Sequence, residues 1–201
     1  QAELAAWDEK MENIFYAPTQ SSCAVAAALP TDWDAVFCDQ FDDNSNAWQE
    51  GSTENDMAVL NVQIEGGKLK VNATCKATSG YQTGVLQWLS PFTSTAGDYM
   101  LQASGKIDSN FKGSGWGIAF NGDYLGIMNT PSFYVLVITN SGDFTLQKLA
   151  DNKMTPIIAP RAHNMIKIGE QNTISILKQG DAYEFYSNGE LIAAQELPPL
   201  E

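Results

Sequence analysis

The sequence of 201 residues has little histidine, cysteine and positive charge, and each scarcity excludes a class of function. One histidine and three separated cysteines cannot supply the tetrahedral ligand set of a zinc site. With 11 Lys and Arg against 24 Asp and Glu, the formal net charge is −13, which disfavours binding to nucleic acid or to an anionic membrane surface. No run approaches the roughly 18 apolar residues of a membrane-spanning helix, so we expect no membrane insertion.

Short strand patterns are abundant from Trp33 onward, separated by turn residues about every 8–12 positions, which is typical of a sandwich or barrel. The pairs Gly66-Gly67 and Asn188-Gly189 each predict a two-residue hairpin turn. About ten to twelve antiparallel strands do not fit one flat sheet, so the sequence predicts an all-β, two-sheet sandwich. The predicted strands include Ala35–Phe41, Val59–Glu65, Lys68–Cys75, Gly84–Leu89, Tyr99–Ile107, Phe133–Thr139, Phe144–Leu149, Ile174–Lys178, Tyr183–Tyr186 and Leu191–Ala194.

The first part of the chain differs from the rest in composition. Residues 1–30 have a short helical pattern that ends before Pro18 and is followed by a tether. We therefore divide the chain into this N-terminal appendage and a sandwich domain over residues 31–201. Residues 1–57 hold 12 acids and one base, and the acidity therefore belongs to the entry segment. Because the chain begins at Gln1 rather than Met, we expect a processed or trimmed fragment.

Several short segments follow one another in a recognisable order: Leu29–Trp33, Asp39–Asp43 with Asn46-Ala47-Trp48, Ile64–Leu69, Trp116–Phe120, Phe133–Ile138, Asn172–Ile174 and Phe185–Leu191. Taken together, they resemble the concanavalin A-like jelly-roll domains, a group that includes the LamG-like and 3-keto-disaccharide-hydrolase-like domains of bacterial surface proteins. The resemblance covers about residues 31–195 and implies a jelly roll that is secreted or on the cell surface, with a glycan or a protein as its partner.

Catalytic motifs are missing from this framework. Glycoside hydrolases of the family carry Glu-x-Asp-x-x-Glu on one strand, and the nearest match is Glu54-Asn55-Asp56, where Val59 replaces the third acid. His163 lies in a predicted turn, Pro160–Asn164, with no Gly-x-Ser-x-Gly elbow in the chain. The sequence favours a non-catalytic binding module. The alternatives are an enzyme with acids from separate strands or loops and an assembly module that docks through its acidic first 57 residues. Candidate acids are Asp98, Asp108, Asp123 and Glu184.

Aromatic side chains are the candidates for sugar binding, since a ring stacks on the apolar face of a sugar beside polar groups that bond its hydroxyls. Bulky rings also fill cores, and for Trp116 the core is the favoured interpretation. Tyr124 and Tyr186 alternate away from Phe120 and Phe185, which suits a ligand as well as a core. The candidate ligand-binding residues are Trp88, Trp116, Tyr124, Tyr134, Tyr186, Asn121 and Asp123.

A calcium ion is the one cofactor that the sequence suggests. Asp42, Asn44 and Asn46 have the alternate spacing of oxygen ligands in a calcium loop, although the later ligands of an EF-hand are absent. The same residues also suit a turn in which short polar side chains bond their own backbone.

The three cysteines allow one disulfide bond. We predict a bridge between Cys23 and Cys38, which would fasten the tether to the sandwich, with Cys75 left over. The alternative pairs Cys38 with Cys75 if their strands are neighbours. Either bridge fits an extracellular protein.

Overall fold

A computed structural model describes residue 33 and residues 37–54, 58–76, 97–123, 132–151 and 153–200, all of them in strands, turns or irregular backbone. No helix in these ranges has the length and hydropathy of a membrane span. The chain divides into two compact units, residues 1–94 and residues 95–201. The predicted helix and tether over residues 1–30 and the predicted strand Gly84–Leu89 lie outside the described residues, and the domain boundary at residue 30 stays a prediction.

The first unit contains a three-stranded antiparallel sheet in the order β1-β2-β3. Its strands are β1 Gly51–Glu54, β2 Ala58–Ile64 and β3 Leu69–Cys75. The predicted hairpin between β2 and β3 is confirmed: Gly66 and Gly67 have φ values of 61° and 66°, the left-handed region that this turn requires. On β2, Val62 is 1 % exposed.

The second unit contains two four-stranded antiparallel sheets. We name the sheet in the order β11-β10-β9-β4 the front sheet and the sheet in the order β5-β6-β7-β8 the back sheet. The strands are β4 Tyr99–Gly105, β5 Gly115–Asp123, β6 Ser132–Thr139, β7 Asp143–Ala150, β8 Lys153–Ala162, β9 Asn172–Gln179, β10 Ala182–Ser187 and β11 Glu190–Glu196.

One hydrophobic core joins the two sheets of the second unit. Along each strand alternate residues turn inward, so that side chains of the back sheet meet those of the front sheet. The predicted all-β sandwich is thereby confirmed. Residues of this core with no more than 1 % exposure are Tyr134, Leu136, Ile138, Phe144, Leu146, Ile174, Ile176, Tyr183 and Phe185.

The segment after β11 completes this core. Leu197 is 3 % exposed, and its backbone N–H donates to the carbonyl of Asp181 at 3.0 Å. The hydroxyl of Tyr134 donates to the carbonyl of Pro198 at 2.9 Å, and Leu200 packs against the same cluster. This short irregular tail is therefore part of the folded unit.

One predicted strand and one predicted turn were wrong. Residues 37–41, predicted as part of the first strand, are irregular, because the Asp39 carboxylate accepts the backbone N–H of Phe41 at 2.7 Å. The predicted turn at Pro160–Asn164 is largely strand, since β8 continues to Ala162. β8 includes Pro156 and Pro160 next to register shifts against β7, positions where a missing N–H is tolerated.

Candidate functional site

The outward face of the front sheet carries the most suitable candidate site. Because Ile174 and Ile176 of β9 turn into the core, the residues between and beside them turn outward. The register places Gln102, Ser175 and Tyr186 in one row across β4, β9 and β10. We name the outward residues of this sheet the outer front face: Met100, Gln102, Ser104, Thr173, Ser175, Leu177, Gln179, Ala182, Glu184, Tyr186, Leu191, Ala194 and Glu196.

Tyr186 is the aromatic side chain of the outer front face and is half-buried. Its hydroxyl donates a hydrogen bond to the carboxylate of Glu184, two residues before it on β10. This hydrogen bond, together with partial burial and the negative charge of Glu184, raises the pKa of Tyr186 to about 12. The ring is thus held in place beside a carboxylate and stays neutral at physiological pH.

Hydroxyl and amide groups lie on the β9 and β4 side of this ring, and Leu191 lies on its β11 side. Ser175 donates to the Gln102 side-chain oxygen at 3.3 Å, and the hydroxyls of Ser104 and Thr173 lie 2.6 Å apart. Gln102 and Ser104 are exposed to solvent. The arrangement offers an aromatic surface with hydrogen-bonding groups on neighbouring strands.

The other predicted aromatic residues have different positions. Tyr134 is 1 % exposed and belongs to the core, and the half-buried Trp116 packs against this core. A Cβ at Gly105 would lie 3.0 Å from the Trp116 indole, so that this glycine makes room for the ring. Trp88 and Tyr124 lie outside the described residues.

The predicted polar residue Asn121 has a structural role within the second unit. Its amide nitrogen donates to the hydroxyl of Tyr183 at 2.6 Å, and its oxygen accepts from the hydroxyl of Tyr99 at 3.2 Å. Burial raises the pKa of both tyrosines. Asn121 has a φ of 53° and lies at the register shift between Phe120 and Asp123 on β5. The side chain of the predicted residue Asp123 lies outside the described part of the structure.

The small residues on β5 do not open a ligand cavity in the back sheet. A Cβ at Gly117 would overlap the carbonyl oxygen of Leu136 and lie 2.8 Å from its carbonyl carbon. The glycine therefore permits a close approach of two backbones. On β6, the outward-facing Phe133 and Val135 are only 2 % and 8 % exposed, so this face offers little open surface there.

A shallow opening next to Trp116 has room for about one water molecule. Two amides line it, and both are used within the protein. The Asn140 side chain bonds backbone groups of Ser109, Phe111 and Gly113, while that of Asn172 bonds backbone groups of the loop after β8. The opening is therefore a less suitable ligand site than the outer front face.

The predicted calcium loop is held by its own hydrogen bonds. The oxygen of Asn44 accepts the backbone N–H of Trp48 at 2.7 Å, and its nitrogen donates to Glu50 at 2.8 Å. Asn46 donates to Asp39 at 2.8 Å. Across the described ranges, no three His, Cys, Asp or Glu side chains come together to hold a metal. Calcium binding through Asp42, Asn44 and Asn46 stays a prediction.

Cys38 is disulfide-bonded. Cys23 and the side chain of Cys75 lie outside the described part of the chain, so the predicted pairing with Cys23 stays a prediction. All three cysteines belong to the first unit, and the bridge is therefore contained within it for either pairing.

Two of the acids considered for an enzyme, Asp98 and Asp108, lie beyond opposite ends of β4. Asp98 precedes β4 and accepts the N–H of Gly180 at 2.8 Å, whereas Asp108 follows the other end of the same strand. At about 3.3 Å per residue, a seven-residue strand places them on the order of 20 Å apart. Glycoside hydrolysis needs carboxyl groups roughly 5–10 Å apart. Glu184 is engaged with Tyr186.

Comparisons with known proteins add two distant structural likenesses. No family model and no curated protein matches the chain. A complex of sheep galectin-11 with glycerol is 16 % identical over 53 % of this chain and 78 % of its own, with a TM-score of 0.42. The carbohydrate-binding module CBM66 from Bacillus subtilis is 12 % identical over 75 % of this chain and 74 % of its own, with a TM-score of 0.43. Similarities this distant do not identify a function for the chain. The β-sandwich assignment is based on the sheets described above.

Proposed function

We propose that this protein is a non-catalytic binding module that holds a glycan on the outer front face. The observation that carries the proposal is the position of Tyr186, a half-buried ring in one row with Gln102 and Ser175 on one side and Leu191 on the other. An aromatic ring held by its neighbours and flanked by hydroxyl, amide and carboxylate groups is the arrangement by which proteins hold sugars.

The mechanism would combine stacking with hydrogen bonding and would break no bond. The apolar face of a sugar ring covers Tyr186, while the hydroxyls at its edge bond to Gln102 and to the Glu184 carboxylate. Because the hydroxyl of Tyr186 is already bonded to Glu184, the ring loses little conformational freedom on binding. Fixed partners of this kind increase affinity by lowering the entropic cost of ordering the site.

The proposal includes a secreted or cell-surface location, as expected from the resemblance to concanavalin A-like and LamG-like domains. The disulfide bond at Cys38 supports it, because disulfides persist in oxidising compartments and are rare where thiols are kept reduced. A protein partner for the acidic first 57 residues is the competing proposal, and failure to bind glycans would favour it.

A glycan-array screen of the purified chain tests the proposed function. We expect specific binding to one glycan class, and we expect Tyr186→Ala to weaken it about fivefold or more, since stacking on one ring contributes on the order of 1 kcal/mol. The matched control is Phe111→Ala, which removes an aromatic ring that is 72 % exposed in the loop after β4, away from the outer front face.

Two further arms separate the contributions to binding. Tyr186→Phe keeps the ring and removes its bond to Glu184, so it should retain most of the stacking. Repeating the screen with a chelator tests the calcium loop at Asp42: loss of binding would show that an ion supports the site. Equal binding by the wild type and Tyr186→Ala would contradict the outer front face as the site.

A further inference from the structure

The strands of the outer front face have outward-facing acidic side chains and no outward-facing basic ones. Glu184 lies at its centre, and the register Ala182–Glu196 places Glu196 at an outward position of β11. In the four strands of this sheet, no Lys or Arg occupies an outward position. The residues in one row with Glu184, which are Met100, Leu177 and Ala194, are uncharged and do not offset its charge.

The cations nearest in sequence and register point elsewhere. Lys178 of β9 pairs with the inward-facing Tyr99, lies 5.8 Å from its ring centroid and donates to the carbonyl of Gly97. Arg161 lies over the Phe144 ring at 4.7 Å and donates to the carbonyl of Ile192. Neither cation is available to a ligand on Tyr186.

Lys106, the first residue after β4, is the next cation along the strands of the front sheet. The register aligns Tyr186 with Gln102, which lies two strands away from it. Strand spacing and rise then place Lys106 roughly 16 Å from Tyr186, Cα to Cα. This exceeds the Debye length of about 8 Å at physiological salt, so Lys106 does not neutralise Glu184.

We infer that the site selects glycans that bear no anionic group and rejects carboxylated, sulfated or phosphorylated sugars. This inference rests on the proposed function. The Glu184 carboxylate accepts hydrogen bonds from sugar hydroxyls, and two adjacent hydroxyls suit its two oxygens. A uronate or sulfate in the same position would bring two negative charges together on a sheet whose four described strands have no outward-facing Lys or Arg.

Matched sugar pairs test the inference by calorimetric titration. The neutral sugar oligomer found on the array is compared with its uronic acid and its 6-sulfated counterparts. At low salt, we expect the neutral member to bind at least about tenfold more tightly, as a like-charge repulsion near 1.4 kcal/mol requires. We expect the ratio to shrink as salt is raised, because screening weakens the repulsion.

A charge variant identifies the group responsible. Glu184→Gln keeps an acceptor for the hydroxyl of Tyr186 and removes the charge, so the neutral-to-anionic ratio should fall severalfold toward one. Glu170→Gln removes an exposed carboxylate from the loop after β8 and should leave the ratio unchanged.

The outcomes separate the inference from the proposed function. Equal or tighter binding of an anionic counterpart, lost in Tyr186→Ala, would overturn the inference while the proposed site stands. A preference for neutral sugars that persists in Glu184→Gln would also overturn it, since the cause would lie elsewhere. Binding to no glycan, neutral or anionic, would overturn the proposed function and the inference with it.

Discussion

Gly117 shows how one residue decides whether two strands of the back sheet can pair. The glycine on β5 faces the backbone of β6, where a methyl group would overlap the carbonyl oxygen of Leu136. Because that neighbour is backbone, it cannot move aside as a flexible side chain would. We expect Gly117→Ala to lower the free energy of unfolding by about 2–4 kcal/mol, measured by urea denaturation.

Gly97 supplies the matched control at the same scale. It lies before β4 with an ordinary backbone conformation, and a Cβ there would meet nothing within 4 Å. Gly97→Ala should change stability by no more than about 0.5 kcal/mol. Equal stability of the two variants would mean that β5 does not approach β6 as closely as described.

At the scale of elements, the tail after β11 closes the core of the second unit. Leu197 is 3 % exposed and contacts this core, whereas Leu191 on β11 is 49 % exposed. We expect Leu197→Ala to cost about 2–4 kcal/mol, because the core cannot collapse fully onto the space left behind. Leu191→Ala makes the same chemical change at the surface and should cost less than about 1 kcal/mol. Thermal and urea unfolding of both variants compare them, and similar losses would show that the tail is not packed.

The elements that sequence predicts correctly are those with local signals. Gly66-Gly67 and Asn188-Gly189 mark hairpin turns by their need for positive φ, and both turns are present. β8 was not predicted, because Pro156 and Pro160 indicate breaks unless the bulges beside them are known.

The candidate site was predicted only in part, because local sequence signals indicate which way a side chain turns but not which strands pair. Alternation with the core residue Phe185 suggests that Tyr186 turns outward. Its partners Gln102 and Ser175 depend on the pairing of β4 with β9, strands about 70 residues apart along the chain, which no local pattern specifies. Glu184 was considered as an acid for catalysis, and the structure shows its carboxylate accepting a hydrogen bond from Tyr186 on the same face of β10.

At the scale of the whole molecule, the disulfide bond and the main hydrophobic core belong to different units. The bridge at Cys38 closes a loop within residues 1–94, whereas every member of the sandwich core lies after residue 94. A disulfide stabilises mainly by restricting the unfolded chain that it closes, by about 3 kcal/mol for a loop of this order. We therefore expect reduction to lower the stability of the first unit far more than that of the second.

Hydrogen exchange read by mass spectrometry can follow the two units separately in one sample. With reductant, amides of β2 and β3 should exchange faster, since opening of the first unit becomes less costly. Amides of β6, β7 and β9 should keep their protection. Cys38→Ser is the control, because reductant should then have no further effect. An equal loss of protection in both units would mean that they open as one cooperative unit, and the bridge at Cys38 would then stabilise the outer front face as well.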